Sequence, residues 1–374
     1  MVRTKGLPAV LAVALWAVMG CSSSSSNGPE PGGETRSFAL GFTDFPHSLA
    51  PEAYDETVDI VRRDGDMAAM HFDDGVPWQE ALSAAAYAPG FAAELNARAA
   101  AMPSGHVVYL AITPIAFSRD GLAPHRGQAG NEPLVPPWDS FHFDTQEVIE
   151  AFTAHAENMI GIFGPDYCAY AVEVNLLLDL APQSWAAFVT LAGDVYTRLK
   201  ARHPNLPCFV TLQADSFHAN RQAQTAAIAQ LLPYTDFIAV SSYPFTLTAD
   251  PGLLPADHFS ALANLAPAKP FAVAETGWPA EAVTAPYPVT IPASEATQRA
   301  YVSRLLADAD DLSAAFVMWF VSRDYDDLWD SYLQFQPNAA LLRLWRDNGL
   351  YTGAGQRRPA LETWRGWLAR RRIS

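Results

Sequence analysis

Phe271-Ala272-Val273-Ala274-Glu275-Thr276-Gly277-Trp278-Pro279 sets four apolar residues directly before a carboxylate, and closes with glycine and proline. A continuous apolar run of this length suits a strand buried on both faces, and the Gly and Pro end it in a turn. Glu275 then stands at the C-terminal end of a buried strand. A carboxylate there costs several kcal/mol unless it is paired or put to use.

Seven further runs share this form: Phe38 to Phe42, Met67 to Phe72, Val107 to Ile112, Tyr167 to Val174, Cys208 to Leu212, Phe237 to Ser241 and Ala315 to Phe320. Between them lie stretches of helical period, among them Gln146 to Ile162, Trp185 to Arg202, Arg221 to Leu232, Phe259 to Leu265 and Ser294 to Ala309. Buried strands alternating with amphipathic helices predict an α/β chain, and eight of them predict closure into a (β/α)8 TIM barrel. The competing open, doubly wound sheet lacks its Gly-rich first turn here. From Asn338 to Ser374 the chain reads as a closing helical region, with Trp364 and Trp367 on one face.

The 374 residues carry 24 Lys and Arg against 40 Asp and Glu, a net charge of −16, with half the chain hydrophobic. That composition excludes a disordered polymer and disfavours nucleic acid as a partner. No Gly-rich phosphate loop and no Cys/His zinc spacing is present, so no cofactor and no metal are expected.

At the N-terminus Arg3 and Lys5 precede an apolar stretch from Leu7 to Met19, which reads as a secretory signal over residues 1–20. Val18-Met19-Gly20-Cys21 resembles a bacterial lipobox, which implies lipidation at Cys21. The Ser-, Gly- and Pro-rich segment 21–36 reads as a tether, and 37–374 as the folded domain. The expectation is an exported lipoprotein, sorted to the outer membrane by Ser22, monomeric, and touching the membrane through its lipid alone. Cys168 and Cys208 are expected as buried free thiols facing the helices, since each stands an odd number of residues before an inward position.

Barrel active sites collect at the C-terminal strand ends. The fourth run, Tyr170-Ala171-Val172-Glu173-Val174-Asn175, places a second carboxylate at a position matching Glu275. Two carboxylates facing each other across a barrel suit glycoside hydrolysis, where a retaining enzyme needs them about 5–5.5 Å apart.

With these residues in view, Glu275 to Pro279 resembles the nucleophile segment of clan A glycoside hydrolases, most like arabinogalactan endo-beta-1,4-galactanases and related endo-beta-glucanases. Tyr243-Pro244 after the sixth run, Met318-Trp319-Phe320 on the eighth, and Arg358-Pro359-Ala360-Leu361 with Trp364 fall in the same order. The resemblance implies Glu275 as nucleophile, Glu173 as acid/base, Tyr243 as a hydrogen-bond donor to the nucleophile, and Trp278 and Trp319 as the sugar platform. It departs at Val172, where the clan has an Asn; either a neighbour such as Asn175 or Gln213 supplies that amide, or activity is reduced or absent.

Gly130-Asn131-Glu132-Pro133 spells the acid/base motif, but within the Pro-rich connection from Thr113 to Ser140 and off any strand, so Glu173 keeps the role. Asp44 after the first run, His71 at the end of the second, and Asp73, Asp74 and Trp78 after it are expected as sugar contacts, with a solvated loop as the alternative for Asp73 and Asp74. Arg323, Asp324, Asp326 and Asp327 follow the eighth and would line the cleft or pair with one another. The expected function is retaining hydrolysis of a beta-linked polysaccharide or oligosaccharide at the cell envelope. The alternative is a glycan-binding surface lipoprotein on a barrel without catalysis.

Overall fold

The computed structural model describes residues 34–128 and 130–373. The segment expected as a signal, Cys21 and the expected tether up to residue 33 lie outside the described residues. Eight strands close into a barrel: β1 (Ala39–Phe42), β2 (Met67–Phe72), β3 (Val107–Ile112), β4 (Tyr167–Ala171), β5 (Cys208–Gln213), β6 (Ile238–Ser242), β7 (Phe271–Thr276) and β8 (Phe316–Trp319). Every neighbouring pair is parallel, and β8 closes onto β1. The predicted (β/α)8 barrel is the fold observed.

The helices that bear on the argument are α1 (Glu52–Asp64), α2 (Pro89–Ala101), α3 (Gln146–Phe163), α4 (Trp185–Arg202), α5 (Arg221–Ile228), α6 (Glu295–Asp311) and α7 (Pro359–Leu368). The helix expected from Phe259 to Leu265 is reduced to Ser260–Ala263. Among the described residues no helix is long and apolar enough to cross a membrane.

Strand alternation divides the apolar side chains into two cores. Inside the barrel, Tyr109, Phe209, Phe237 and Phe316 pack ring on ring at 5.2–6.3 Å near its floor. The other inward positions include Ala111, Ala169, Ala239, Ala272 and Ala274, whose small side chains leave room for polar groups at the mouth. The larger core lies between strands and helices, and α7 seals the first strand with Trp364 against Phe42 at 5.1 Å and Trp367 against Phe38 at 5.6 Å. Cys168 and Cys208 are register partners on β4 and β5, buried, free, and part of the helix-side core as expected. Gly41 on β1 is required by close approach, since a Cβ there would lie 2.4 Å from the Met67 carbonyl oxygen.

Both strands that carry the carboxylates are irregular just before them. On β4 the register against β5 slips between Ala169 and Ala171; on β7 the register against β6 slips between Val273 and Glu275. Ala274 already points inward, so strict alternation would send Glu275 toward the helices. The bulge turns it back to the mouth, the usual effect of an extra residue on one strand.

Candidate active site

Glu275 leaves the end of β7 with its side chain 14% exposed. Its Oε1 accepts the Tyr243 hydroxyl at 2.5 Å, and its Oε2 lies 3.4 Å from Nδ1 of His71 without a directed hydrogen bond. Burial, reinforced by the negative charge of Glu173, pushes the Glu275 carboxyl up to about 8. Burial pulls His71 down to about 4, so its imidazole is neutral near pH 7.

Glu173 sits beyond the end of β4, with φ 51° and ψ 41°. Its backbone N–H donates to Oγ1 of Thr211 at 2.8 Å. Its Oε1 accepts the Ser241 hydroxyl, and its Oε2 accepts Nη2 and Nε of Arg119 at 3.1 and 3.3 Å. Ser241 and Tyr243 are two residues apart at the end of β6 and face the same way, so this one strand end gives a hydroxyl to each carboxylate. Asp215 secures that end. It accepts the Tyr243 N–H at 2.7 Å and the Ser242 hydroxyl at 3.3 Å, and burial pushes it up to about 6.

Arg119 is the residue the sequence did not reveal. It rides on a hairpin in the long connection after β3, in which Ile115 pairs with Leu122 and the Ala116 N–H donates to the Gly121 carbonyl at 2.9 Å. At its tip Arg119 has φ 57°, which turns the guanidinium into the mouth. There it binds Asp73 through Nη1 to Oδ1 at 2.8 Å and Nη2 to Oδ2 at 2.5 Å. Its contact with Glu173 spans 54 residues, and no local pattern encodes it.

Aromatic rings border the pair. Trp345 lies edge-on to Tyr243 at 5.7 Å and to Phe320 at 6.1 Å; Phe45 lies 5.7 Å from Phe320 and 5.4 Å from His71. Phe117, on the Arg119 hairpin and 42% exposed, reaches Trp345 at 6.5 Å.

Several sequence expectations are corrected. Trp319 does not floor the mouth: Phe316 and Met318 point inward, so Trp319 points outward, where Nε1 donates to the Asn348 carbonyl at 2.8 Å. Trp278 is equally buried, stacked on Tyr301 at 5.0 Å. Trp78 is buried as well, stacked on Trp138 at 5.6 Å and bonded to the Ala123 carbonyl. Asp44 is no sugar contact; it is buried in a two-oxygen pair with Arg98 of α2, both at 2.9 Å. Asn175 is fully buried and spans Gln213 and Gln224 of α5, while the Gln213 side chain accepts the Ser216 N–H and caps the next turn. Neither supplies the amide missing at Val172, whose own side chain packs inside the barrel. Asp73 is at the mouth, as expected, but as the partner of Arg119. Tyr243 and His71 are where the sequence placed them.

Glu132 lies exposed in a short antiparallel pair with His125–Arg126, off the barrel. After β8, Asp324 pairs with Arg358, Asp326 with Arg346, and Arg323 with Glu56, so these residues form ion pairs. Among the described residues, the acids close enough to share a metal are Glu281, Asp324 and Asp347. Arg343, Arg346 and Arg358 already pair with them, which gives the cluster a charge-balanced partner set without an ion. Ser242 and His258 meet at 2.8 Å but are at most 1% exposed, which denies a nucleophile any substrate.

No family model matches the sequence, and no curated protein does. Solved structures do. A family GH53 catalytic domain from Ignisphaera aggregans matches over 90% of this chain and 92% of its own, with TM-score 0.52 and 17% identity. A GH5_18 protein from Streptomyces cattleya, solved with GlcNAc, matches over 89% and 81%, with TM-score 0.64 and 16% identity. An exo-beta-1,4-mannosidase from Opitutaceae bacterium strain TAV5 matches over 89% of this chain and 59% of its own, with TM-score 0.61 and 14% identity. The chain therefore has the eight-stranded parallel barrel fold that these glycoside hydrolases share.

Proposed function

We propose that the protein is a retaining glycoside hydrolase acting on a beta-linked polysaccharide or oligosaccharide. The observation that carries this is the pair Glu173 and Glu275, presented at the mouth from β4 and β7 and each given a hydroxyl by β6. Glu275 attacks the anomeric carbon through Oε2, the oxygen without a directed donor. Glu173 protonates the leaving oxygen and then activates water. Tyr243 orients the nucleophile. With Trp278 and Trp319 in the core, the apolar sugar face falls to Phe45, Phe320 and Trp345. Turnover of a panel of beta-linked glycans, with the anomeric configuration of the first product read by NMR, tests this. A beta product is expected; an alpha product excludes retention.

Two observations favour the second reading, a glycan-binding protein without turnover. Val172 leaves the amide position apolar, and Glu173 is held by Arg119. Glycan binding without hydrolysis by the wild type would select it. For location we propose an exported lipoprotein anchored through Cys21. Incorporation of a fatty-acid probe, lost in Cys21→Ala, is the expected result.

A further inference from the structure

The guanidinium of Arg119 is held unequally. Asp73 grips it with both oxygens, at 2.8 and 2.5 Å, in the fork geometry that makes such pairs strong. Glu173 offers one oxygen at 3.1 and 3.3 Å, and the Ala116 carbonyl takes the remaining donor of Nη1 at 3.2 Å. All five N–H donors are thus engaged. The three side chains are 7%, 11% and 14% exposed, so salt screens them weakly and an unpaired charge among them is costly. Glu173 cannot give a proton to a leaving oxygen while Ser241 holds Oε1 and Arg119 holds Oε2.

We infer that Asp73 is a positioning residue: its two-oxygen grip keeps the Arg119 cation paired while Glu173 lets go, which frees Glu173 to act as the acid. This rests on the glycoside-hydrolase reading. In the free protein burial, reinforced by the negative charge of Glu173, favours the protonated form of Glu275. When Arg119 withdraws onto Asp73, that proton passes from the Glu275 carboxyl to the Glu173 carboxylate. Glu275 becomes the attacking anion and Glu173 the neutral acid, with no other group changing charge.

Asp73→Asn leaves Arg119 with Glu173 as its one anionic partner. On a glycan with a poor leaving group kcat is expected to fall about 100-fold, the scale of a lost general acid. On an activated aryl glycoside, which needs little protonation, the loss stays within about threefold. Adding Arg119→Met to Asp73→Asn restores most of the glycan rate. Equal losses on both substrates, or no restoration, overturn the inference.

A second readout does not depend on turnover. Double-mutant cycles of thermal unfolding, Asp73→Asn with Arg119→Met and Glu173→Gln with Arg119→Met, are expected to give the Asp73 pair the larger coupling. Equal or reversed couplings overturn the grip itself. A wild type that hydrolyses no beta-glycoside sinks the functional reading instead, and the cycles still decide how Arg119 is held.

Discussion

Glu275 ends a strand that stays extended through Thr276 and keeps its ladder with β6, whereas Glu173 stands past a strand that stops at Ala171, in a left-handed backbone conformation. A non-glycine residue held there carries strain of order 1–3 kcal/mol and needs its surroundings to hold it. For Glu173 those surroundings are Thr211, Ser241 and Arg119, from three other segments. One carboxylate is placed by its own sheet and the other by neighbours, and that difference decides which is the more easily disturbed.

The largest effects should separate the two sites. Glu275→Gln is expected to lower turnover on the order of 10⁴-fold on every substrate, because no bond to the sugar can form. Glu173→Ala should lose about 10²–10⁴-fold on poor leaving groups and much less on aryl glycosides, with added azide restoring rate. Identical profiles for the two variants, measured on matched substrates, would break the comparison.

Tyr243→Phe comes next. It removes a hydroxyl bond to a carboxyl and leaves the ring in place, so roughly tenfold in kcat/KM is expected. Retention of full activity would show that β7 alone positions Glu275.

The third effect is on stability. The Glu275 carboxyl is raised from 4.5 to about 8, so the folded state favours its protonated form. Its contribution is fully present below pH 4.5 and is lost as pH rises through about 8. Glu275→Gln is neutral throughout, so its Tm advantage over wild type should grow by several degrees, as an order of magnitude, from the acid to the alkaline end of that window. A difference constant with pH, in parallel melts, would mean Glu275 is ionised at rest. The smallest effect is at Glu132, exposed and off the barrel; Glu132→Ala should stay within about twofold of wild type in the same assays.

The fold was legible because eight apolar runs each end in turn residues, a pattern few other arrangements satisfy. Glu173, Glu275, Tyr243 and His71 were legible because strand ends are where such a barrel exposes polar groups. Resemblance places Trp319 at the sugar, but strand alternation decides its direction: with Phe316 and Met318 inward, Trp319 faces the helices. Gln213 and Asn175 serve the scaffold instead: the Gln213 side chain caps the next turn, and the Asn175 amide ties the end of β5 to Gln224 of α5. Arg119 was illegible, since its position depends on a hairpin folding over the mouth from a loop with no periodic pattern.

The central claim is that Glu275 forms the covalent bond to the sugar. Incubation with an activated 2-deoxy-2-fluoro-beta-glycoside, followed by proteolysis and mass mapping, tests it most directly. The label is expected on Glu275, in the peptide carrying Phe271 to Pro279. Label on Glu173 or Glu132, or steady hydrolysis of the parent glycoside with no residue labelled, would contradict it.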